Sequence, residues 1–307
     1  MLIIFSGFGR RFGFGSRIAA RWHQAIFGIV SLVAFSLSGH AQAAAPAVSS
    51  ACQALQAKHT NLVGKQVKVA LDGLQRPFTY HDPQNPDKII GVDVELANAT
   101  FECLGVPWTQ SIGVWAGLIT SVTEGRNDVM WDTLNYTPAR AKQVNYVLYL
   151  SAATGFLVHA GNPKHVDSLD SLCGLNAAAG LGTVEEAAFH DQGKKCVSMG
   201  KPDINLVTYT DLNAGLRQVA NGRVDVIMTD LAMSNILVAD QPQNIGLAFS
   251  VMSGFHVGVA VNKGETELLT AIADALKVVQ ASGQQQAILS KYKVDPSLQY
   301  PVEVKTE

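Results

Sequence analysis

Arg140 closes the stretch TPAR (137–140), a helix start with Thr137 placed to cap it and Pro138 in its first turn. Its planar guanidinium suits a carboxylate held by two parallel hydrogen bonds. Four other polar clusters follow directly on β-rich runs. They are Asp72 after VKVAL, Asp132-Thr133-Leu134-Asn135 after DVMW, Gly182-Thr183 after LNAAAG, and Thr229-Asp230 after DVIM. GTVEE (182–186) also opens a helix whose free N–H groups make an anion seat, and Thr183 with Glu186 has the spacing of a capping box. In open α/β sheets ligands bind beyond the carboxyl ends of the strands. Any one of these residues alone would be an ordinary cap or turn residue. Placed together, they point to non-covalent recognition of a small charged molecule. The chain has no CxxC, and its eight His include no HxH or HExxH, so no metal or cofactor is expected.

These clusters need a frame of short strands alternating with helices. VKVAL (67–71), DVMW (128–131), LNAAAG (175–180), NLVTY (205–209) and DVIM (225–228) read as strands. VDVELANATFECLG (92–105), WAGLITSVTEG (115–125), TVEEAAFHDQG (183–193) and DLNAGLRQVANG (211–222) read as helices, and two more close the chain at 265–283 and 284–292. Such alternation predicts βαβ units with parallel sheets, one per half. EGRNDVMWDTLNYT recurs as NGRVDVIMTDLAMS, Gly125 answering Gly222, which predicts two similar α/β domains. GFLVHAG (155–161) and GFHVGVAVNK (254–263) read as extended crossings between them, a hinge rather than a loose linker. Domain one is then 62–154 plus 254–300, and domain two is 155–253.

The beginning of the chain belongs to neither domain. Arg10, Arg11, Arg17 and Arg21 precede the apolar run AIFGIVSLVAFSL (25–37) and Ala41-Gln42-Ala43. That order predicts a cleaved secretory signal over residues 1–43 and an exported product, with no Cys at the cleavage site for a lipid anchor. Without those residues the chain loses four of its 23 basic residues and none of its 25 acids, leaving a formal charge of −6. No basic cluster suggests nucleic acid. Cys52, Cys103, Cys173 and Cys196 all follow the leader, and an even count in an exported chain predicts disulfides. Three pairings are open, and proximity favours Cys173 with Cys196.

From 67 to 292 the chain resembles the periplasmic amino-acid-binding proteins of ABC transporters, solute-binding protein family 3. The matching stretches are VKVALDGLQRPFTY, IIGVDVELANATFECLGV, WAGLITSVTEGRNDV, NYTPARAKQV, DSLDSLCGLNAAAGLGTVEE, NGRVDVIMTD, VGVAVNK and SGQQQAILSKY, in order and at the expected spacing. The Cys173…Cys196 spacing resembles one branch of the family. The resemblance implies a two-lobed, type II periplasmic-binding-protein fold, each lobe a mostly parallel sheet flanked by helices, joined by a two-strand hinge. It implies a monomeric periplasmic protein that captures an amino acid, polar or cationic ones favoured, and delivers it to a membrane permease, with no catalytic residue. It assigns Arg140 to the ligand α-carboxylate, helped by Asn135 and the backbone at Thr183-Val184, and Asp230 to the α-ammonium. Asp72 would face the ligand side chain, Trp115 would form a wall, and Asp132 and Thr133 would line the same pocket. Two departures stand out: Gln75 falls where an aromatic lid is often found, and NYVLYL (145–150) replaces the usual Phe-Ser-Asp-Pro-Tyr. Two alternatives share the resemblance. One is an exported cyclohexadienyl dehydratase on the same scaffold, with Asp72, Asp132 or Asp230 as general acid. The other is a sensory protein handing its ligand to a receptor.

Overall fold

The computed structural model describes residues 49–306, so the leader expected at 1–43 lies outside the described residues. The first half runs α1 (Ser50–Lys58), β1 (Val67–Leu71), β2 (Leu74–Gln75), β3 (Thr79–Asp82), β4 (Asn85–Ile90), α2 (Val92–Leu104) and β5 (Trp108–Ile112). It continues through a short turn of helix at Trp115–Gly117 into α3 (Leu118–Thr123), β6 (Val129–Asn135), α4 (Pro138–Ala141) and the long strand β7 (Val144–His159). The second half runs β8 (Asn176–Gly180), α5 (Val184–Ser198), β9 (Asn205–Tyr209), α6 (Leu212–Ala220), β10 (Val226–Asp230), α7 (Leu231–Asp240) and the long strand β11 (Ile245–Asn262). α8 (Thr266–Ala281), α9 (Gln284–Lys291) and β12 (Gln299–Lys305) end the chain.

Each half holds a parallel triplet. β1 lies between β5 and β6, and β8 lies between β9 and β10, so both triplets order their strands second, first, third. β7 and β11 pair antiparallel along their length and join the triplets into one continuous path. The two sheets expected from the alternation are therefore two halves of one mixed sheet. The ladder between β7 and β11 is broken between Met252 and His256. Beside that break the Ser253 hydroxyl donates to the Ala152 carbonyl at 2.9 Å. β12 adds a strand to the outer side of β7 in the first half.

The repeated phrase has the same use twice. In each copy the helix turns at a glycine of positive φ (Gly125, Gly222). The following Asp then clamps the first strand of its triplet. Asp128 gives its N–H to the Lys68 carbonyl and takes the Lys68 N–H on its carboxylate at 2.7 Å. Asp225 does the same to Asn176, its carboxylate accepting at 2.9 Å. The repeat is a strand-registering device, and the chemistry lies beyond it.

Two disulfides reinforce the helical layers, one per half: Cys52–Cys103 ties α1 to α2, and Cys173–Cys196 ties the segment after Leu172 to α5. Trp131, at the centre of β6, is 1% exposed and packs with Phe101 and Tyr149, so it belongs to the core. No helix among the described residues is long and apolar enough to cross a membrane.

Candidate functional site

The carboxyl ends of both triplets open onto one cleft. Its lining takes Asp72 beyond β1, Thr133 and Asn135 from β6, Gly180 from β8, Tyr209 from β9 and Asp230 from β10. Ala152–Thr154 of β7 and Val257 of β11 form its floor near the break in their ladder. About 930 Å³ of non-atom space lies within it, the open solvent at its mouth included.

Arg140 is built as its sequence predicts. Thr137 caps α4, its hydroxyl accepting the Arg140 N–H at 3.2 Å, and Pro138 occupies the first turn. The side chain is 9% exposed. Nη1 donates to the Asn135 carbonyl and Nη2 to the Gly182 carbonyl of the opposite half, each at 2.8 Å. The guanidinium lies over the Trp115 ring at 5.2 Å. Burial holds its pKa below the ordinary value. A guanidinium has five N–H donors, so these two bonds leave capacity for a carboxylate. Asn135 supports Arg140 through its backbone, and its side-chain oxygen Oδ1 is buried without a hydrogen-bond partner.

The acids of the first half are braced from within. Asp72 is 7% exposed, and its oxygens accept the Leu74 N–H at 2.8 Å and the Gln75 side-chain amide at 3.1 Å. Gln75, the departure noted in the sequence, thus lines the cleft as a brace for Asp72. Asp132 departs from expectation: it is fully buried beneath the cleft floor and absent from the lining. Strand alternation points it inward, onto the Thr79 hydroxyl at 2.5 Å and the Asp72 N–H at 3.2 Å. Burial, then the charge of Asp72, pushes Asp132 well up. Thr133 sits at φ 50°, a strained conformation for a β-branched residue. Asp93 of α2 holds it there by accepting its N–H at 2.8 Å and lying 3.3 Å from its hydroxyl. Asp93 also takes the Tyr149 hydroxyl at 2.6 Å, and burial raises it to about 6.

The second half presents its groups more openly. Asp230 ends β10 and caps α7, Oδ1 accepting the N–H groups of Ala232 and Met233. Burial, with help from the charges of Glu185 and Asp93, raises it to about 7. Thr183 caps α5, accepting the Glu186 N–H at 3.2 Å, while the Glu186 carboxylate reaches back to the Gly182 N–H at 2.6 Å. Val184 and Glu185 follow in the first turn and both line the cleft. Tyr209 lines it from the end of β9 and needs Gly215 beside it, where a Cβ would lie 2.5 Å from the ring.

Of the nine residues expected at the site, Asp72, Trp115, Thr133, Asn135, Arg140, Thr183, Val184 and Asp230 line this cleft, and Asp132 lies beneath it. The sequence reading omitted Glu185, Tyr209, Thr154 and the bracing Asp93. Tyr209 closes NLVTY and Thr210 follows it directly, as Thr229 follows DVIM, so the strand-end rule would have pointed to that position. Among the described residues no group of three metal-ligating side chains is gathered.

Residues 67–295 match the bacterial extracellular solute-binding proteins, family 3. The L-cystine-binding protein TcyJ of Escherichia coli K12 is 27% identical over 225 residues, covering 73% of this chain and 81% of that protein. The putative ABC transporter arginine-binding protein 2 of the same organism is 26% identical, over 74% of this chain and 90% of its own. An ancestral arginine-binding protein solved with arginine superposes with a TM-score of 0.67 at 27% identity, covering 74% of this chain and 97% of that one.

Proposed function

The chain belongs to the bacterial extracellular solute-binding proteins of family 3, and from that membership we propose that it captures an amino acid outside the cytoplasm and hands it to the permease of an ABC transporter. The observation that carries this reading is a single crevice holding a guanidinium from one half and an acid from the other. Arg140 takes the α-carboxylate, aided by the α5 start at Thr183-Val184. Asp230 takes the α-ammonium. A buried charge needs a partner, and each pole of a zwitterion supplies one. Trp115 stacks behind the guanidinium and walls the pocket, and Asp72 faces the side chain, favouring polar or cationic ligands.

Capture goes with closure. The lobes are 62–154 plus 254–300 and 155–253, and they pivot where the β7–β11 ladder breaks. Arg140 to the Gly182 carbonyl and an exposed ion pair of Arg76 with Asp240 at 2.6 Å join them across the cleft. The exposed pair is worth about 0–1 kcal/mol, too little to hold the lobes shut alone. The ligand supplies the rest, and the closed shape is what the permease recognises. The protein is a periplasmic monomer freed from its leader.

A thermal-shift screen of the amino acids tests this, since a ligand that binds only the folded state raises the midpoint. A concentration-dependent rise with at least one amino acid is expected. No rise with any of them, or turnover of arogenate or prephenate, would contradict the proposal.

A further inference from the structure

The charges of the cleft do not balance for a plain zwitterion. Among the described residues lining it, Arg140 is the one cation, and it faces three carboxylates: Asp72, Glu185 and Asp230. We propose that Glu185 is a specificity-determining residue that selects an amino acid whose side chain carries a second positive charge. This rests on the amino-acid reading of the cleft and deepens it.

Glu185 occupies the second position of α5, one residue after Val184, so the helix start sets its side chain at the cleft wall. Arg140, Tyr209 and Asp230 all lie within reach of its charge. Its contacts are local: its own N–H and the Thr183 hydroxyl. That hydroxyl has a single proton, and the Gly180 carbonyl stands 2.9 Å away to receive it. An ionised carboxylate has about four acceptor positions, so most of those on Glu185 are left for a ligand.

In the empty cleft Arg140 is the cation whose charge Glu185 shares. Once a ligand carboxylate takes Arg140, that counter-charge is spent, and Glu185 and Asp230, both raised by burial, stay ionised only beside a cation. The α-ammonium serves one of them, and a second cationic group serves the other. Asp72 is a weaker candidate for that group, because both its oxygens already accept hydrogen bonds from Leu74 and Gln75. The methylenes of a long cationic side chain find apolar lining in Leu212 and Met228.

Calorimetric titration of L-arginine and L-citrulline separates charge from shape, since citrulline keeps the length and loses the charge. The wild type is expected to prefer arginine by about tenfold or more, the scale of a charged hydrogen bond. E185Q, verified as folded by its melting midpoint, is expected to bring the ratio close to unity. A ratio unchanged in E185Q, or no preference in the wild type while other amino acids bind, overturns the assignment of Glu185 and leaves the amino-acid site standing. If no amino acid binds the wild type at all, both readings fall.

Discussion

The two halves share a strand order, a registering aspartate and one disulfide each, yet finish their strands in opposite styles. In the first half, Asp72, Asp93 and Asp132 are locked by hydrogen bonds to Leu74, Gln75, Thr133, Tyr149 and Thr79. They shape a floor. In the second half, Asp230 takes only the N–H groups of its own helix start, and Glu185 lies beside its own N–H, so both keep acceptor capacity facing the cleft. Both halves keep the same strand-registering frame and differ in the residues beyond the strand ends. One half became a braced wall with a guanidinium, and the other a set of waiting acids.

The largest test of the shared frame is its crosslinks. By the loop-entropy account, losing Cys52–Cys103, which spans 51 residues, costs about 4 kcal/mol, and losing Cys173–Cys196, which spans 23, costs about 3 kcal/mol. Urea unfolding of Cys-to-Ser pairs should rank them in that order. A negligible loss for either would show that its half is held by packing alone.

The acids come next. Asp93 at about 6 and Asp230 at about 7 are raised by burial, and Asp72 and Asp132 are raised too. The folded state therefore binds more protons than the unfolded one between roughly pH 4 and 7, and its stability falls as pH rises through that window. The empty protein is expected to melt a few degrees higher at pH 5 than at pH 8, and D230N should flatten part of that slope. The carboxylates held low, among them Asp170 and Asp274, act only below about pH 4 and do not offset it. A midpoint that rises steadily from pH 5 to 8 would mean these groups are not buried as described.

The smallest effect sharpens the symmetry itself. D128N and D225N each remove a charged acceptor from a strand N–H, so each should cost about 1 kcal/mol. Matching losses by urea titration support one device used twice. A loss at only one site would make the other copy a sequence coincidence.

The sequence made five of the six triplet strands legible, because short apolar runs and glycine-ended helices are local signals, and it missed β5, whose half-exposed WTQSI carries no such run. It made Arg140 and Asp230 legible because each follows a strand or a helix cap directly. It misplaced Asp132 because the run DVMW was read as ending at Trp131, whereas β6 continues to Asn135 and turns Asp132 onto Thr79 and the Asp72 backbone. Glu185 escaped because its neighbour Glu186 accounted for the capping pattern, and one glutamate in that turn looked sufficient. Asp93 acts from α2 on Thr133, forty residues away in sequence, and no local pattern reports such a contact. The single continuous sheet was hidden for the same reason: the pairing of β7 with β11 spans about a hundred residues.

The central claim is that Arg140 holds the ligand's carboxylate. Isothermal titration of wild type and Arg140→Ala, with whichever amino acid gives the largest thermal shift, tests it most directly. The account predicts a loss of about a hundredfold or more in affinity, the scale for removing one partner of a buried charge pair, in a variant that still unfolds cooperatively. An affinity equal to wild type would contradict it.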